Sequence, residues 1–145
     1  PETNYKDLNI SVQNHSYGVG IENYYGAEAL AYDMSVKAQP ELLHVFSAGN
    51  RGTQASESGI YKGLNNIANL TGTFKMAKNV LTVGSLTLNG EVPALSSRGP
   101  AYDGRVKPEL VALGQDGSSG AAALTSGVAI LLQQAFLEKF GHLPD

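Results

Sequence analysis

Leu42-Leu43-His44-Val45-Phe46 runs straight into Ser47-Ala48-Gly49-Asn50-Arg51-Gly52. The first five residues are apolar almost without interruption and of strand length. Such a run suits a strand covered on both faces, as in a parallel sheet. The glycine-punctuated stretch after it is the loop at the strand's carboxyl end. Upstream, Ala27, Leu30, Ala31, Met34 and Ala38 recur at helical spacing and predict an amphipathic helix with that face inward. Glu28, Asp33 and Lys37 are then expected to face water. The helix should end before Pro40, which restricts the residue preceding it. Further upstream, Leu8-Asn9-Ile10-Ser11-Val12-Gln13 alternates apolar and polar and reads as a strand. Strand, helix, strand is the signature of an α/β fold. Ligands of such sheets bind at the carboxyl ends of the strands. Asn14-His15-Ser16-Tyr17-Gly18 and Ser47 to Gly52 both lie there.

Downstream, residues 53–78 are mixed and polar. They read as a long surface loop with one helical turn near Leu64, Ile67, Ala68 and Leu70. Asn79-Val80-Leu81-Thr82-Val83-Gly84 is a third strand. Asn89-Gly90 signals a hairpin, with Val92 to Leu95 as the returning strand. Val106 to Gly114 is extended, and its Pro108 predicts an edge strand or a strand entry. The last helix is expected from about Ser119 to Phe140. Its first half is apolar or small all round, which predicts a buried helix, with Gly127 explained by close packing. Gly141 and Pro144 supply the stop signals.

At 145 residues the chain suits one domain with a real core. A net charge of −3 suggests neither a nucleic-acid footprint nor a polybasic membrane patch. The absence of cysteine excludes disulfides, thiolate zinc sites and a cysteine nucleophile. No uninterrupted apolar run approaches the roughly 20 residues of a membrane span, so no membrane partner is expected. Pro1-Glu2-Thr3-Asn4-Tyr5 is neither a basic signal region nor an initiator methionine, and suggests a processed product or an excised piece.

Gly117-Ser118-Ser119-Gly120-Ala121 crowds small residues against the start of the last helix. A serine there can cap the helix. It can also be a nucleophile beside the positive end of the helix dipole. Other motifs fail. Gly18 and Gly20 lack the third glycine of a dinucleotide loop, since position 23 is Asn. The serine stretch lacks the closing glycine of a G-x-S-x-G elbow, and there is no P-loop or His-Glu-x-x-His. Neither a metal nor a cofactor is implied. His15 and His44, on strands or strand ends, and His142, near the terminus, are poor candidates for a general base. Asn9-Ile10-Ser11 and Asn69-Leu70-Thr71 fit glycosylation triplets of the kind that arise by chance.

Five segments together resemble subtilisin-like serine proteases. Val45 to Gly52 resembles "V-x-A-A-G-N-x-G", and Asn79 to Ser85 resembles "N-V-I-T-V-G-A". Ser96-Ser97-Arg98-Gly99-Pro100, with Lys107-Pro108-Glu109-Leu110-Val111-Ala112-Leu113-Gly114, resembles "S-S-R-G-P … K-P-D-V-V-A-P-G". Gly117-Ser118-Ser119 with Ala121-Ala122 resembles "G-T-S-x-A-A-P", and Asn14 to Gly18 resembles "N-M-S-L-G". The blocks occur in the family's order and cover nearly the whole chain. The resemblance implies a partial three-layer α/β/α domain with a mostly parallel sheet. It assigns Ser119 as nucleophile and Asn50 as oxyanion-hole amide, with the Ser119 backbone N–H as second donor. It assigns Ser16, Tyr17 and Gly18 to a segment that pairs with the substrate backbone. Ser47, Ala48 and Gly49 become a wall of the pocket for the residue before the scissile bond. Read apart from the resemblance, Arg98 could bind an anion but is expected to brace a loop.

The family pattern also breaks. The Asp and His blocks of the triad should precede Asn14, and residues 1–13 contain neither. The chain therefore reads as the C-terminal half of the catalytic domain, inactive alone, because a serine without an adjacent base is a weak nucleophile. Only Gln115 and Asp116 separate Gly114 from Gly117 where the family has a longer segment. Gly120, Ala123 and Leu124 replace a larger residue, proline and histidine. Two functions follow: part of a secreted, bacterial-type endopeptidase acting on peptides or proteins, or a non-catalytic peptide-binding or assembly module. Either half-domain would expose edges expecting the missing N-terminal half or, failing that, a second copy of itself.

Overall fold

The computed structural model describes residues 2–144. Four parallel strands form one sheet in the order β1-β2-β3-β4. They are β1 (Val12–His15), β2 (Leu43–Ser47), β3 (Leu81–Leu86) and β4 (Leu110–Leu113). Helix α1 (Glu2–Asp7) precedes β1, α2 (Ala27–Ala38) links β1 to β2, and α3 (Ser118–Phe140) follows β4. The predicted α/β class, the proline-marked edge strand and the Gly141 stop are all present, with Gly141 left-handed at φ 80°.

Alternation along the strands divides the core into two layers. Val45 and Val83 point to one face, where Ala121 and Ala122 of α3 pack with Val12, Leu43, Leu81 and Ala112. Phe46 points to the other and meets Ala29, Phe74, Ala77 and Val80, with Tyr25 and Tyr32 alongside. Helix α3 is pinned across β1 by polar side chains. Ser126 Oγ donates to Asn14 Oδ1 (3.2 Å), and Ser11 Oγ donates to Gln133 Oε1 (2.7 Å).

Several expectations are corrected. The inward face of α2 is Ala29, Tyr32 and Val36, whereas Leu30 and Met34 are 50% and 60% exposed. Asp33 does not simply face water. Its carboxylate accepts hydrogen bonds from the N–H groups of Lys78 and Asn79 and from Tyr25 Oη, tying α2 to the approach of β3. Burial raises its pKa, but those bonds outweigh it and leave the group below its ordinary value. Residues 68–77 are not a surface loop; every one is buried. The helical turn is a 3₁₀ turn at Thr73–Met76, later than predicted. A hydrogen-bonded turn forms around Asn89-Gly90, but no strand returns through 92–95. The first strand begins at Val12 rather than Leu8.

Helix α3 is not buried all round. Leu124, Val128, Ile130, Leu131 and Leu132 are exposed, and no atom beyond the helix lies close to Gly127. By length and composition this helix could cross a membrane, which the sequence reading did not foresee. Its polar residues toward β1 and its packing on the sheet mark it here as a domain helix with one bare apolar side.

Beneath α2, His15 and His44 form a buried pair (Nε2 to Nδ1, 3.1 Å) inside an aromatic cluster, with His15 stacked 4.2 Å from the Phe46 ring. Burial, and for His15 the His44 charge, lowers both pKa values to about 4. The unfolded chain therefore binds protons that the fold excludes between about pH 4 and 6.5. This stability is complete above pH 6.5 and lost as pH falls through 4. Urea midpoints should drop over that range, and the double variant His15→Leu/His44→Leu should flatten the dependence; an unaltered slope would assign it to other groups.

Candidate active site

The carboxyl ends of β1 and β2 and the amino end of α3 meet at an open cleft. It is lined by Ser16, Tyr17, Gly18, Ser47, Gly49, Asn50, Ser118 and Ser119, with Val19, Arg51, Thr71 and Lys75. Seven of the eight residues singled out from sequence are thus brought together. The eighth, Ala48, is not on the cleft: its methyl packs behind the loop with Leu70, Met76 and Ala101.

The centre of the arrangement is Asn50. Its Oδ1 accepts from the Ser118 backbone N–H (3.0 Å) and from Ser118 Oγ (3.1 Å). Ser118 Oγ in turn accepts from the Gly49 N–H at 3.0 Å. Ser118 is the first residue of α3, so its N–H has no partner within the helix. The helix is capped by a side chain 68 positions away, not by a serine of its own; the cap position is Gly117, which makes no side-chain cap bond. The capping role considered for Ser119 is therefore excluded. The backbone supports this approach. Gly117 (φ 88°) and Gly49 (φ 112°) occupy left-handed conformations, and a Cβ on Gly117 would lie 2.7 Å from Asn50 Oδ1.

With Oδ1 committed, the Asn50 amide Nδ2 is the free end of the group and makes no hydrogen bond among the described residues. The backbone N–H of Ser119 is likewise unpaired there, one residue into the helix. Ser119 is partly exposed; its Oγ donates only a long bond, 3.5 Å, to Ser16 O, while Ser16 Oγ donates to Ser119 O at 3.0 Å. No histidine or carboxylate reaches Ser119 Oγ among the described residues. His15 and His44 lie on the sheet face opposite α3.

Residues 3–141 match the subtilase family. The chain belongs to the subtilases. No curated protein matches it. Among solved structures it is similar to the prenylagaramide maturation protease PagA, with 21% identity and TM-score 0.70 over 99% of this chain and 50% of PagA. It is similar to the patellamide maturation protease PatA, with 22% identity and TM-score 0.70 over 99% of this chain and 51% of PatA. The PatG macrocyclase, solved with a peptide, gives 15% identity and TM-score 0.69 over 99% and 42%. At these identities the likeness establishes the subtilisin-like protease fold. The chain spans about half the length of these structures.

In this subtilase the short turn after Gly114 places Asp116 Oδ1 where a Cβ on residue 120 would sit, a contact that rotation of the exposed Asp116 side chain relieves. Other supports were missed in the sequence. Asn69 is wholly buried: its Nδ2 donates to Gly52 O and Gln54 O (2.8 and 2.9 Å), and its Oδ1 accepts from the Arg98 N–H at 2.7 Å. It braces the loop that was assigned to Arg98, and it is inaccessible as a glycosylation site. Ser97 Oγ accepts from the Arg51 N–H at 3.0 Å, so the "S-S-R-G-P" block holds the residue after Asn50.

Adjacent serines should therefore behave differently. Ser118→Ala strands the Gly49 N–H and is expected to cost about 1–3 kcal/mol of stability. Ser119→Ala should stay within about 0.5 kcal/mol. Denaturant titration of both variants checks this, and equal losses would contradict the assigned roles.

Proposed function

We propose that this chain carries the nucleophile and oxyanion-binding half of a serine endopeptidase. The observation that supports it most directly is the Ser118–Asn50 link, which leaves the Asn50 amide and the Ser119 N–H without partners among the described residues, on the cleft that Asn50 and Ser119 both line. In this reading Ser119 Oγ attacks the scissile carbonyl carbon. The electron pair of the C=O moves to oxygen, and the negative charge is received by Asn50 Nδ2–H and Ser119 N–H. The hydroxyl proton passes to a base and from it to the leaving amine; water then releases the acyl group by the same route. The segment 16–18 follows directly on β1 and lines the cleft, where its backbone could pair with that of a peptide.

The base and its carboxylate are assigned to a complementary half. Coverage of half of the related structures, the bare apolar side of α3 and the unpaired outer edge of β1 all support a surface made to be covered. When that half is withheld, the same surface is expected to pair with a second copy. That no base reaches Ser119 Oγ among the described residues supports a second reading, a peptide-binding module without hydrolysis.

A fluorophosphonate probe separates them. The isolated chain should label slowly or not at all. The full-length gene product should label at Ser119, lose labelling in Ser119→Ala, and lose about 10²–10³ in kcat with little change in KM in Asn50→Leu. Prompt labelling of the isolated chain, or none of the full-length product, would contradict the proposal. Sedimentation of the isolated chain should show self-association, and a monomer at micromolar concentration would argue against the uncovered face.

A further inference from the structure

One charged group in the cleft has no role in that chemistry. Lys75 lines the cleft together with Thr71, Gly18 and Gly49, yet its side chain is wholly buried. Its ammonium donates to Thr71 Oγ1 at 2.7 Å and lies 5.7 Å from the centre of the Phe74 ring. Two of its three donors are unused, and no carboxylate pairs with it among the described residues. The acids close by in the chain's packing are engaged elsewhere: Glu22 and Glu28 accept from the N–H and hydroxyl of Thr73. The other buried lysine, Lys107, is fully served by Glu109, Val80 O and Thr82 Oγ1. A buried ammonium without an anion is costly and needs a reason. Burial lowers the Lys75 pKa to about 7, as expected of a cation short of a partner.

Its position says where the partner comes from. The Thr71 hydroxyl presses against the places where Cβ atoms on Gly18 and Gly49 would be. Thr71 therefore fills the space between those two glycines, its N–H bonded to Ala48 O and its C=O to the Val19 N–H, and Lys75 stands buried behind it. Small walls and a floor hydroxyl backed by a buried cation make a site for a side chain that ends in negative charge.

Resting on the endopeptidase reading, we propose that this site receives the residue before the scissile bond and selects an acidic side chain, glutamate above aspartate, through the Thr71 hydroxyl and the Lys75 ammonium that backs it. The longer glutamate reaches the floor hydroxyl, which donates to it, and the cation directly behind supplies the opposite charge. Glutamine fits the same space but leaves the ammonium unneutralised, and a large apolar side chain would abut it. A site built around a polar partner rejects the analogue lacking it strongly.

The test uses the full-length gene product and peptides that differ only before the cleavage point, carrying Glu, Gln or Phe. kcat/KM for Glu should exceed that for Gln by about tenfold or more. Lys75→Met should collapse the ratio toward one, and Lys75→Arg should restore part of it. A general-base role for Lys75 would instead remove cleavage of all three peptides and leave no altered ratio. Labelling at Ser119 with cleavage that ignores the acid would overturn this inference and leave the endopeptidase reading standing. If nothing is labelled or cleaved, that reading fails, and binding of peptides ending in Glu or Gln decides the site by itself. Tighter binding of Glu, lost in Lys75→Met, sustains it; equal or no binding overturns it.

Discussion

The hydrogen bonds between Asn50 and Ser118 join two elements that sequence order keeps far apart. A strand end and a helix start each leave polar groups without partners, and here each satisfies the other. One amide oxygen caps α3, and the same act turns the amide nitrogen outward. Orientation of the functional group is thus a by-product of stabilising the fold. The glycines at 49 and 117 permit the approach, and Ser97 and Asn69 hold the loop from behind. Loss of any of these supports would be felt first as a misdirected amide.

The sheet supplies the second constraint. Because alternate residues face opposite layers, β1 and β2 send aromatic and histidine side chains toward α2 and small aliphatic ones toward α3. The helix carrying Ser119 lies on the small-residue side, close to the strands, and its other side is left apolar and open. The cleft and the bare apolar side both belong to α3, the first at its amino end and the second along Leu124 to Leu132.

Much of this was legible in the sequence because the informative features are local. An uninterrupted apolar run makes a covered strand, a proline marks an edge, and the Gly49-Asn50 and Gly117-Ser118-Ser119 blocks carry their own geometry. The failures share one cause. Helix α2 has apolar residues on two sides, and the inward side is chosen by Asp33 meeting Lys78 and Asn79, a contact that no periodicity reveals. Residues 68–77 look like a polar loop but are buried because Asn69 and Thr71 find partners from distant segments. The inward-facing role of Ser118 was hidden behind its neighbour, although the family's Gly-Thr-Ser pattern places a hydroxyl at that position too. The bare side of α3 could not be read at all, since an apolar helix looks the same whether its cover belongs to the chain or to something else.

The proposed chemistry requires the Asn50 amide and the Ser119 N–H to converge on a single oxygen. The most direct measurement is a crystal structure of the full-length gene product with Ser119 modified by a phosphonate. The account predicts a phosphoryl oxygen about 3 Å from both Asn50 Nδ2 and Ser119 N, with Asn50 Oδ1 still bonded to Ser118. A phosphoryl oxygen directed into solvent, or an Asn50 amide turned so that Nδ2 faces Ser118, would contradict it.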